Sequence, residues 1–112
     1  MGRTLADLTS DVTRIFAEYD KQGTVTWDYR IAASDLPYQL GSLTKAISQL
    51  HGERYAEGKT EEQLKRTIAD ELADIMAEVL FIAQDLDIDL ESAWEGMLKS
   101  DTDKIKERTS NK

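Results

Sequence analysis

Apolar residues recur along this chain at intervals of three and four, the period of a helix with one buried face. Leu5, Leu8, Val12, Ile15, Phe16 and Tyr19 predict a first helix over about residues 4–19, and Gly23 breaks it. From Thr24 to Ala33 the pattern changes, and Val25, Trp27, Tyr29 and Ile31 alternate as in a strand. A lone strand has no partner for its backbone hydrogen bonds, so this stretch is expected to be a connector whose aromatic side chains cover the end of a bundle.

The second helix is predicted to start near Asp35, a suitable N-cap, with Pro37 in its first turn. Leu36, Leu40, Leu43, Ile47 and Leu50 form its stripe, and it is expected to reach about Glu57. Gly58-Lys59 closes it, and Thr60 with Gln63 has the spacing of a capping box for the third helix. That helix carries the clearest pattern in the chain: Leu64, Ile68, Leu72, Ile75, Val79, Ile82 and Leu86, widened by Met76, Leu80 and Ala83. Asp87-Ile88-Asp89 is a short turn with a cap at Asp87 or Asp89. A fourth helix follows on Leu90, Ala93, Trp94, Met97 and Leu98, with a blurred end at residues 100–103. The short links imply antiparallel neighbours, hence an all-α, four- to five-helix antiparallel bundle in a single domain. Residues 1–34 supply the first helix and connector, 35–108 the core helices, and 109–112 a frayed tail.

Composition narrows the chemistry. The 112 residues include 22 acidic and 14 basic ones, a formal net charge of −8. The resulting field repels phosphates, so nucleic acid is not an expected partner. There is no cysteine and one histidine, His51, which excludes thiolate chemistry and a three-histidine zinc site within one chain. His51 is expected at the surface, and Ser42 has no base beside it to make a nucleophile. No apolar run approaches the roughly 20 residues of a membrane span, and a cytoplasmic location is expected.

Carboxylates gather on one edge of the third helix. At about 100° per residue, Glu71, Asp74 and Glu78 share one border of the apolar stripe rather than the solvent side. With a tight turn at residues 58–60, the antiparallel second helix would set Ser42 and Ala46 near Asp74 and Glu71, and Gln39 near Glu78. Carboxylates held together repel unless a cation or basic groups join them, and Mg²⁺ prefers such oxygen ligands. In so acidic a chain, a solvated or salt-bridged edge is the competing explanation.

The run Asp70-Glu71-Leu72-Ala73-Asp74-Ile75, the helix to Leu86 and the turn Asp87-Ile88-Asp89-Leu90-Glu91 resemble the second half of the MazG-like all-alpha nucleoside triphosphate pyrophosphohydrolases. The resemblance implies a Glu-x-x-Asp motif at Glu71 and Asp74, paired with a Glu-x-x-Glu motif on the preceding helix. It further implies Mg²⁺ or Mn²⁺ held by those carboxylates, and hydrolysis of a nucleoside triphosphate, or a related pyrophosphate, to monophosphate and pyrophosphate. In the segment similar to the first motif, Tyr38-Gln39-Leu40-Gly41-Ser42-Leu43, Gln39 and Ser42 stand where the family has glutamates. Glu78 is then a candidate third ligand or water-orienting base. Gln39, Ser42, Asp101, Lys104 and Arg108 are candidate substrate contacts. By the same resemblance, homodimers or homotetramers are expected. The loss of two glutamates leaves a second expectation open: a catalytically impaired nucleotide-binding or oligomeric helical module.

Overall fold

The computed structural model describes residues 2–23 and 26–110. Four helices follow in order: α1 (Leu5–Gln22), α2 (Tyr29–Leu50), α3 (Glu61–Asp85) and α4 (Leu90–Ser110). No strand occurs among the described residues. No helix there is long and apolar enough to cross a membrane.

Side-chain caps set most helix starts. Thr4 and Asp7 form a reciprocal box at α1, with Asp7 N–H donating to Thr4 Oγ1 at 3.1 Å and Thr4 N–H to Asp7 Oδ2 at 2.9 Å. Thr60 and Gln63 do the same at α3, as the sequence predicts. Asp89 caps α4 by accepting from Ser92 N–H at 3.1 Å.

The second helix departs from expectation at both ends. It begins at Tyr29 rather than Asp35, because Asp28 accepts from the N–H groups of Arg30 and Ile31 at 2.8 and 3.0 Å. Tyr29 and Ile31 are therefore helical, and Pro37 lies inside the helix, where it removes one backbone hydrogen bond. Thr24 and Val25 lie outside the described residues. The helix stops at Leu50 rather than near Glu57, because Gly52 takes the left-handed conformation at φ 76°. Gln49 is buried and donates through Nε2 to the Tyr55 carbonyl at 3.0 Å, which ties down the loop.

Helices α2 and α3 pack along each other, and α1 lies against α3. Phe16 of α1 stands edge-on to Phe81 of α3 with ring centres 4.5 Å apart. Its other side stacks on Trp27 at 5.2 Å, so the connector does cover one end of the helices. Thr13 donates to Gln84 at 2.7 Å across the same contact.

The core is small. Ala32, Ala46, Leu64, Leu80 and Ala83 are its buried apolar members. Leu72, Val79 and Leu86, from the middle of the predicted α3 stripe, are exposed. They lie between the faces taken by α1 and α2, which leave them partly open to solvent. The fourth helix does not close the bundle. It runs unbroken through residues 100–103 to Ser110, and every residue from Glu91 to Ser110 is exposed. Leu90 and Trp94 border an apolar cleft with Leu5, Ile75, Met76, Val79 and Leu80, and beyond it the helix projects. Residues 90–108 are thus helical, as expected, but are not core.

Candidate functional site

The acidic edge of α3 faces α2. Glu78 is only 4% exposed, and its carboxyl lies within hydrogen-bond reach of Asp35 from α2. Glu71, two turns earlier on the same face, is half-buried. The Oε2 atoms of Glu71 and Glu78 are both buried without a hydrogen-bond partner. Asp74 lies between them in sequence, with an exposed side chain that adds negative charge near Glu78.

This arrangement changes the acidity of Glu78. Burial, the hydrogen bond to Asp35, and the charges of Asp35 and Asp74 together push its carboxyl up to about 8. At neutral pH Glu78 therefore holds a proton, and its O–H donates to Asp35. Asp35 also accepts from Gln39 Nε2 at 3.1 Å, one turn along α2. The result is a polar line of Gln39, Asp35 and Glu78 crossing the α2–α3 seam.

Contact between Asp35 and Glu78 corrects the expected pairing of Gln39 with Glu78. The two helices are shifted by one turn relative to that expectation. Because α2 ends at Leu50, the midpoint of the hairpin moves toward lower numbers. Counting one helical turn at a time from the Asp35–Glu78 contact, Gln39 falls level with Asp74 and Ser42 with Glu71. Both Gln39 and Ser42 are half-buried at the seam.

Asp35 is the residue that sequence reasoning misplaced, since the run Asp-Leu-Pro suggested a helix start rather than a site. Its signal was the one-turn spacing to Gln39, legible once α2 is known to begin at Asp28. Asp101, Lys104 and Arg108 lie exposed on the projecting half of α4 and are not part of the seam of their own chain.

The chemistry of the seam suits a hard cation in kind, because its donors are carboxylate oxygens and two of these lack partners. Their placement is more open than a closed site. Among the described residues, no three His, Asp or Glu side chains are grouped to hold a metal ion. Comparison with protein-family models, curated proteins and solved structures returns no match to this chain.

Proposed function

We propose that this chain is a cytoplasmic, MazG-like, Mg²⁺-dependent nucleoside triphosphate pyrophosphohydrolase, converting a nucleoside triphosphate and water to the monophosphate and pyrophosphate. The observation that carries this reading is the pair of buried, unpartnered carboxylate oxygens of Glu71 and Glu78 in the α2–α3 seam. Buried acceptors are costly to leave unpaired, and two of them on one helix face point to a ligand that supplies positive charge.

Glu71, Asp74 and Glu78 would hold Mg²⁺ or Mn²⁺, with Asp35 adjoining. The bound ion would neutralise phosphate charge and orient the triphosphate. Asp35 and Gln39 position the Glu78 carboxyl, which holds a proton at neutral pH. Cation uptake competes with that proton, so binding strengthens as pH rises toward and past 8. Ser42 offers a half-buried hydroxyl at the seam, while the Gln39 amide is engaged with Asp35.

A second reading, an impaired nucleotide-binding module, draws support from Gln39 and Ser42, which bring no charge to the first-motif positions. One experiment separates the two. The protein is incubated with a panel of nucleoside triphosphates and Mg²⁺ or Mn²⁺, and released pyrophosphate is quantified. Hydrolysis is expected with at least one substrate, and Glu71→Ala and Asp74→Ala should be silent. Silence in the parent, with activity gained by the Gln39→Glu, Ser42→Glu double variant, would favour the impaired module.

A further inference from the structure

The α2–α3 seam has two rims of opposite character. At about 100° per residue, with Asp35 taken as facing α3, Leu36, Leu40 and Ile47 fall on one side of α2, and Tyr38 and Lys45 on the other. The same count on α3, with Glu71 facing α2, puts Leu72, Met76 and Val79 on one side, and Asp70 and Asp74 on the other. In an antiparallel pair the two apolar sides coincide, and so do the two polar sides. One rim of the seam is therefore apolar on both helices, and the opposite rim is polar on both.

Three features follow one another along the polar rim of α2. Tyr38 comes first, with 76% of its surface open to solvent. Gly41 and Ser42 come next. Beyond its chain neighbours, no side chain comes within 4 Å of where a Cβ on Gly41 would stand, so this stretch of the rim is open. Lys45 follows, and here the charge changes sign. Its Nζ lies 3.6 Å from the Glu57 carboxylate, and Lys59 Nζ lies 3.9 Å from the same group. Two ammonium groups on one carboxylate leave a net positive charge at the hairpin end of the rim, in a chain whose net charge is −8. Tyr38 and Lys45 are two helical turns apart, about 10 Å along the axis. Counted from the Asp35–Glu78 contact, Asp74 and Glu71 fall across the seam between those two levels.

An aromatic face, an open stretch beside carboxylates and a cationic end complement, in that order, a nucleobase, a sugar with its first phosphates, and a terminal phosphate. We propose, building on the hydrolase reading above, that Tyr38 is the platform on which the substrate's base stacks and that Lys45 and Lys59 receive the far end of its phosphate chain. The substrate class is then a nucleoside triphosphate rather than an inorganic polyphosphate, and it lies with its base toward the start of α2 and its phosphates toward the hairpin. A phosphate arriving there replaces Glu57 as the partner of both lysines. The exchange costs little, because exposed ion pairs of this kind are weak.

Calorimetric titration with Mn²⁺ and the α,β-methylene analogues of the common nucleoside triphosphates measures binding without turnover. Inorganic tripolyphosphate is the control ligand that has no base. Tyr38→Ala should weaken the preferred analogue about tenfold and leave tripolyphosphate unmoved, and Tyr38→Phe, which keeps the ring, should retain the parental affinity. The Lys45→Gln, Lys59→Gln double variant should weaken both ligands about tenfold at low salt, and both losses should shrink as salt rises. Gly41→Phe, which fills the open stretch, should exclude the nucleotide analogue. Tyr38, Gly41, Lys45 and Lys59 are all exposed, so every variant should keep the parental helical circular dichroism. Nucleotide binding by the parent that Tyr38→Ala and the lysine variant leave unmoved overturns the proposal, and the hydrolase reading survives. Losses as expected, with no pyrophosphate released by the parent, support the assignment and remove the hydrolase reading in favour of the impaired module. Absence of nucleotide binding while Mn²⁺ is still taken up overturns both and leaves only the cation site.

Discussion

Two regions of this small protein invert the usual arrangement. In the α2–α3 seam, carboxyl groups are buried: Glu78 is nearly inaccessible and Glu71 half so. On the outer side of the same two helices, leucines and a methionine face water. Each region carries an unmet need in the single chain. The seam has excess negative charge, which Glu78 relieves by taking a proton from water. The outer face has apolar surface that its own chain covers only in part, with Leu5, Leu90 and Trp94 bordering Met76 and Val79. The two regions thus differ in kind: one buries carboxyl groups and the other leaves apolar side chains open to solvent.

Core truncation marks the largest expected difference between the regions. Leu80 is 5% exposed, and Leu80→Ala should cost about 2–5 kcal/mol in denaturant unfolding. Leu72→Ala removes a side chain of the same size from the bare face. Half-exposed as it is, its loss should cost under about 1 kcal/mol in the same measurement. Equal losses at both positions would contradict the contrast.

The seam should respond to pH with a definite sign. Glu78 has a folded-state acidity raised from 4.5 to about 8, so the folded chain binds the proton more tightly than the unfolded one. This contribution to stability is complete below about pH 4.5 and is lost as pH rises through about 8. Glu78→Gln keeps the shape and one hydrogen-bond donor without the charge. It should raise stability at pH 8 by about 1–3 kcal/mol and flatten the fall between pH 5 and 8 in thermal melts. A smaller gain, about 1 kcal/mol at pH 8, is expected for Asp35→Asn, which removes the nearest like charge. Thr60→Ala, which touches neither region, should cost about 1 kcal/mol at every pH by removing the α3 cap.

Local signals in the sequence were the easiest to read. The caps at Thr60 and Asp89, the break at Gly23 and the length of α3 follow from side chains that act on their own backbone. The acidic edge at Glu71 and Glu78 was also legible, because helical periodicity alone puts them on one border of the stripe. Register was not legible. It depended on where α2 stops, and that is decided by a left-handed glycine at residue 52 rather than by the Gly58-Lys59 pair. Asp35 was hidden for a related reason, since a proline two residues later usually marks a helix start, whereas here Asp28 starts the helix a turn and more upstream. Burial was the least legible property. The α3 stripe has the pattern of a core face, yet periodicity records that a face is apolar and not how much of it the neighbouring helices cover.

Whether the buried carboxylates of the α2–α3 seam take up a divalent cation is decided by titrating the protein with Mn²⁺ and following free ion by electron paramagnetic resonance at pH 8. Saturable uptake is expected in the micromolar to millimolar range, weaker at pH 6, displaced by Mg²⁺ and lost in Glu71→Ala and in Glu78→Gln. Uptake that is absent, or that persists unchanged in both variants, would contradict a cation site there.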